Sequence, residues 1–225
     1  MVTCSKRMAR PAKTDSAATR NPGRTRGHIL SAALKEFAAK GFAGARMDVI
    51  ARRAAINKRM LYHYFGEKEG LFKAVLRQKI SERQAWAETL SGDPEETLSF
   101  WFEAACKDVD WVRLLEWEAL QGTRKVIDKK ERLAAVARGL ERIRQRQARG
   151  RVSAELDPRH VMLTMRSLTM FPVAFPQLTQ LIMGRAVSDP TFQRERVEFL
   201  KKFAAAFRPM NERTIKINFA KRKTA

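Results

Sequence analysis

Cysteine is almost missing from this 225-residue chain: Cys4 and Cys106 are the whole supply. Two such distant thiols build neither a disulfide framework nor a thiolate zinc site. Apolar runs are short as well, well under the ~18 residues that a membrane-spanning helix needs. The N-terminus is basic with no apolar segment behind it, so neither a membrane span nor a secretory signal is expected. Histidine is sparse, and His28, His63 and His160 are scattered without metal-ligand spacing. There is no phosphate loop, nucleophile elbow or dinucleotide fingerprint, so no enzyme activity and no cofactor are expected. Alternating β-branched stretches are scarce, which argues against a sheet.

Acid is the remaining deficit. Lysine and arginine number 45 against 24 aspartates and glutamates, a formal charge of +21. That excess favours a polyanionic partner, nucleic acid before a membrane surface, in a reducing cytoplasmic setting. An apolar share of 44% excludes wholesale disorder. The charge is uneven. Residues 1–26 hold seven basic side chains against Asp15, and residues 208–225 hold six against Glu212. Residues 1–23, broken by Pro11, Pro22 and Gly23, read as a basic disordered arm, and 208–225 as a basic tail. Either the tails touch DNA or they are solvated arms.

Helical periodicity runs through nearly everything between. Ile29, Leu30, Ala33, Leu34, Phe37 and Ala38 mark one face of a first helix, stopped by Gly41. Met47, Ile50, Ala51 and Ala54 mark a short second helix. Asn57 is a good N-cap for a third, with Leu61, Tyr64 and Phe65 turned inward. Gly66 ends that one, and Leu71, Phe72, Val75 and Leu76 start a fourth. Three Asp-Pro pairs, at 93–94, 157–158 and 189–190, place a capping carboxylate before a proline at the first helical position. Helices are therefore expected over 94–106, 110–121, 124–149, 158–180 and 190–207. The fold class is all-α, with about nine helices.

Two short helices joined through Ala55-Ile56-Asn57, resting on a longer first helix, have the spacing of a helix-turn-helix. The third helix leaves Lys58, Arg59, Tyr62 and His63 outward, which are donors and an aromatic rather than acids. Such side chains near a helix N-terminus read base edges in a major groove. The stretch from Arg26 to Val75, above all IAxxAAINKRMLYHYFGEKEGL at 50–71, resembles the DNA-binding domain of the TetR family of transcriptional regulators. The specific elements are Gly41-Phe42, Ile50-Ala51, Leu61-Tyr62, Tyr64-Phe65 and Lys68-Glu69. Two departures stand out. Ala55 occupies a position commonly glycine, at a cost of about 1 kcal/mol if its φ is positive. Ala45-Arg46 stands where a hydroxyl often caps the second helix.

The resemblance implies a division into the arm, a DNA-binding domain at 24–70, a helical ligand-binding and dimerisation domain at 71–207, and the tail. It implies a homodimer, formed through the last two helices, on a double-stranded DNA operator. A small-molecule effector of unknown identity would release it, and no membrane is involved. Carried over by position, Lys58, Arg59 and Met60 face bases, His63 a base or phosphate, and Arg46, Tyr62 and Lys68 phosphates. Aromatic residues singled out for the effector pocket are Trp101, Trp117 and Phe171; most others in that region read as packing. Pro172 and Pro176 should bend the helix that carries them, opening space beside it. The arginines between Arg138 and Arg151 read as a solvated helix edge, the alternative being an attraction for an anionic effector. The competing class is a sequence-tolerant architectural DNA-binding protein working through its basic tails.

Overall fold

The computed structural model describes residues 22–120 and 126–205, which form ten helices and no strand. In order they are α1 (Pro22–Gly44), α2 (Met47–Arg53), α3 (Lys58–Phe65), α4 (Lys68–Thr89), α5 (Pro94–Lys107), α6 (Val109–Leu120), α7 (Lys129–Ala148), α8 (Pro158–Ala174), α9 (Pro176–Met183) and α10 (Pro190–Ala204). The expected arm lies outside the described residues except for Pro22 and Gly23, which open α1. The expected tail at 208–225, Cys4 and Phe207 lie outside them too.

The tenth helix arises from a single break. The segment 158–180 reads as one helix, but Phe175 takes φ −120° and ψ 63° immediately before Pro176. A proline ring disfavours α geometry in the residue ahead of it, and Pro176 then starts α9 at its first position. Pro172, in contrast, stays inside α8. Its missing N–H leaves the Leu168 carbonyl without a helical donor, and Arg196 Nη2 of α10 supplies one at 2.9 Å.

Local chemistry sets the other ends. Asp93, Asp157 and Asp189 each accept from the backbone N–H two residues on, at 2.9, 2.7 and 2.7 Å. Asn57 Oδ1 accepts from Met60 N at 2.7 Å and so caps α3. Gly41 has φ 67° and ψ 176°, kinking α1 before its last turn. Arg46 gives α2 no side-chain cap. The buried Glu36 carboxylate compensates in part, accepting weakly from Arg46 N at 3.4 Å and lying 3.6 Å from Arg53 Nη1.

Ala55 does adopt the left-handed region, at φ 55°. The turn closes there through Ile56 N donating to Ala51 O at 3.0 Å. Replacing Ala55 with glycine is expected to stabilise the protein by about 1 kcal/mol, because the Cβ penalty disappears. Urea unfolding midpoints would show this; a lower midpoint would mean that alanine is unstrained at this turn.

One core joins Ile29, Phe37, Ile50, Leu61 and Leu71 with Trp111 and Leu114 of α6. A second gathers Leu98 and Phe102 of α5 with Val161 of α8 and Phe192 and Leu200 of α10. The first core crosses the expected boundary between residues 70 and 71, and α4 runs through that boundary unbroken.

Candidate DNA interface and ligand cavity

Helix α3 is only 8 residues long, too short to persist alone, so its placement depends on one buried face. Leu61 is fully buried, with Tyr64 and Phe65 packed on the same core. Arg26 of α1 lies over the Phe65 ring, 5.2 Å from its centroid. That anchoring leaves Lys58, Arg59, Tyr62 and His63 exposed and Met60 half-buried. Tyr62 is 42% exposed, and Lys58 Nζ sits 5.8 Å from its ring centroid. With Asn57 satisfying one N–H at the start of α3, the outward face presents cations and a phenol without an acid on the helix itself.

The two flanking basic residues are differently disposed. Arg46 at the start of α2 is engaged bidentately with Asp48, at 3.2 and 3.0 Å. The Arg46 hydrogen bond in turn holds the Asp48 carboxyl below its usual range. A phosphate would have to share this guanidinium with Asp48. Lys68, at the first position of α4, donates to Ala43 O at 2.9 Å and lies 5.2 Å from the Phe42 ring centroid. It ties the start of α4 to the end of α1 while remaining beside the basic face.

A cavity of about 280 Å³ lies among α4, α5, α6, α7 and α8. Trp101, Trp111, Val112, Leu115, Met165 and Met170 form part of its apolar wall. Of the three aromatics expected at a ligand, only Trp101 lines it. Trp117 lies elsewhere because its indole bridges two helices: Nε1 donates to Ala38 O of α1 at 3.0 Å, and the ring covers Gly41. Phe171 points outward on α8 beside Phe175, their centroids 5.0 Å apart. The bend expected from the two prolines lies off the cavity as well, since neither proline lines it.

Sequence reasoning missed Arg83, Arg132 and Arg166, which line the cavity together with Arg142 and Arg146. A usable signal was present on α7, where Arg132, Val136, Gly139, Arg142, Ile143 and Arg146 recur at steps of three and four on one face. The other members of the arginine-rich segment, Arg138, Arg144, Arg149 and Arg151, are exposed and lie off the cavity.

A basic helix-turn-helix seated on a helical body with an internal cavity defines a DNA-binding regulator class. Sequence comparison agrees. The profile of bacterial regulatory proteins of the tetR family matches residues 29–75, and that of the tetracyclin repressor-like C-terminal domain matches 99–205. The chain is similar to the HTH-type transcriptional repressor SCO4008 of Streptomyces coelicolor, 30% identical over 168 residues, covering 74% of this chain and 88% of the relative. It is also similar to the HTH-type transcriptional regulator RutR of Escherichia coli K12, 28% identical over 187 residues, 77% of this chain and 85% of that one. The crystal structure of SCO4942 from Streptomyces coelicolor superposes with a TM-score of 0.69 at 26% identity, over 83% of this chain and 99% of that one. The chain belongs to the TetR family; it is a helix-turn-helix transcriptional regulator, not an enzyme. No helix among the described residues is long and apolar enough to cross a membrane.

Proposed function

We propose that the protein is a cytoplasmic homodimeric repressor that holds a palindromic operator and lets go when a small molecule fills the cavity. The observation that carries this reading is the double duty of α6. Val112 and Leu115 face the cavity, while Trp117, on the same helix, grips α1 at Ala38 and Gly41. A ligand that favours another seating of α6 would thereby move the platform on which α2 and α3 rest. Operator affinity would fall by the free-energy difference between the two arrangements. In this reading Lys58, Arg59 and Met60 meet base edges, His63 a base or phosphate, and Tyr62, Lys68 and Arg46 phosphates. The division at residues 24–70 and 71–207 then separates reading from sensing.

Dimerisation is supported by apolar side chains that α8, α9 and α10 leave open. Phe175 is 54% exposed, Leu181 82%, Ile182 67% and Phe199 49%. An exposed apolar surface of this kind marks an association face, and a twofold across it would pair the two α3 helices.

Half-site spacing tests the whole reading. Two α3 helices related by a twofold demand half-sites about one helical turn apart. Once selection from random DNA has yielded a preferred site, inserting five base pairs at its centre is expected to weaken binding by more than about tenfold. One helix would lose its base contacts at ~1–3 kcal/mol per good pair. An architectural binder acting through its basic tails would bind both DNAs alike, because their phosphate density is the same. Equal affinities in a demonstrated dimer would remove the operator reading.

A further inference from the structure

The cavity wall is chemically lopsided. Its charged residues are five arginines, Arg83, Arg132, Arg142, Arg146 and Arg166, with no acid among the lining residues. Two of the five are answered from behind the wall. Arg83 Nη2 meets Asp108 at 3.0 Å, and Arg132 pairs with Glu118. Burial alone would raise the Asp108 carboxyl, but Lys79 and Arg83 together hold it below its usual range, so that pair is firmly ionic. Arg142, Arg146 and Arg166 face the hollow without an acid on its wall, although Glu96 and Asp93 act on Arg146 from beside it. Even the answered Arg83 keeps its Nη1 buried without an acceptor, and the neighbouring Gln84 Nε2 is in the same state.

Arg166 is the most telling of these. It lines the cavity from α8 and is exposed there rather than packed, so its guanidinium is accessible to a ligand. Burial pushes its guanidinium down, and the charge of Arg132 adds to that. Burial and the charge of Arg142 act likewise on Arg146, against a weaker pull from Glu96. A partly desolvated cation on a wall that offers no acid favours an anionic ligand over a neutral or cationic one. Apart from Gln84, Thr97 and Thr169, the rest of the wall is mainly tryptophan, methionine and aliphatic carbon. At about 280 Å³ the space sits near the lower end of ordinary small-molecule sites.

We propose that the cavity binds a small amphiphilic anion, an apolar body against Trp101, Trp111 and Met165 with a carboxylate or similar oxyanion head on Arg166. This deepens the effector reading above and rests on it only for the consequence at DNA, not for binding. A guanidinium offers paired N–H donors to a planar carboxylate, which accounts for geometry as well as charge. A cation of the same shape would enter a wall of five positive charges.

Three probes with one tail separate the possibilities: decanoate, decanol and decylammonium, titrated calorimetrically into the full-length protein. Decanoate is expected to bind at least tenfold more tightly than decanol, and decylammonium not measurably. Arg166→Met should weaken decanoate by at least about tenfold, one arginine–carboxylate contact, while leaving decanol within about threefold. Arg166→Lys, which keeps the charge but not the paired donors, should recover only part of the decanoate affinity, and the unliganded Arg166→Met protein should melt no lower than the parent, since no acid on the wall loses a partner. Should Arg166→Met fail to fold, Arg142→Met carries the same comparison with a smaller loss. Equal binding of decanoate and decanol, or measurable binding of decylammonium, overturns the proposal, as does an equal loss of both ligands in the variants. The DNA arm is read separately. Decanoate that binds in this order but leaves retention of the preferred site unchanged upholds the cavity's chemistry and removes effector release.

Discussion

Alanine at both Lys58 and Arg59 is expected to lower affinity for the preferred DNA site by more than about a hundredfold with folding intact. Both side chains are exposed on the first turn of α3, so their truncation uncovers no core. The helix keeps its Asn57 cap, its buried Leu61 and its packing through Tyr64 and Phe65. Under the proposed reading, what disappears is two donors per subunit at the end of the helix proposed to enter the groove. At ~1–3 kcal/mol for each good base contact, the loss over two subunits exceeds about 2.7 kcal/mol, a factor of a hundred. Mixed-sequence DNA should suffer much less, because the remaining charge, +21 in the parent chain, is spread far beyond α3. The measurement is a pair of binding isotherms at one salt concentration, on the selected site and on mixed DNA. A uniform loss on both would show Lys58 and Arg59 to be phosphate contacts only.

The second large effect concerns folding. Gly70 lies in the first turn of α4, where an added Cβ would stand 2.2 Å from the Phe65 carbonyl oxygen. That oxygen belongs to backbone at the end of α3, whose side chains are fixed in the first core, so it has little room to withdraw. Gly70→Ala is expected to destabilise the protein by about 3 kcal/mol or more, lowering Tm by roughly 6–12 °C for a chain of this size. Gly27→Ala is the control. It lies in α1 with no atom within 4 Å of the added Cβ, and helix propensity predicts a gain of up to ~1 kcal/mol. Calorimetry on the two variants gives opposite signs if α3 and α4 meet this closely, and the same sign if they do not.

Features set by neighbours in the chain were readable beforehand. The three Asp-Pro starts, the Asn57 cap and the inward face of α3 each depend on a few consecutive residues, and each occurs as expected. The positive φ at Ala55 was readable through the glycine that usually stands there. The break at Phe175 was harder, since two prolines close together affect a helix differently according to whether another element supplies the missing donor. The cavity was largely illegible. Its arginines come from α4, α7 and α8, whose distance in sequence says nothing about the hollow they share. Aromatic character was a poor guide as well: Trp101 lines the cavity, Trp117 locks two helices together and Phe171 faces outward.

The core that Trp111 and Leu114 share with Ile50 and Leu61 bears on recombination. Splicing another regulator's helix-turn-helix segment onto the remaining helices of this chain at residue 70 would divide α4 and strip α6 of the surface it packs against. Trp117 would then face a foreign α1, with no assurance of a glycine beneath the indole or of a carbonyl at its N–H. Such a hybrid would express as two ill-fitting halves unless the α1 residues around Ala38 and Gly41 travelled with the body. The exchangeable unit on this scaffold is thus smaller than the whole helix-turn-helix segment: the exposed side chains of α3, with the packed residues around them left in place.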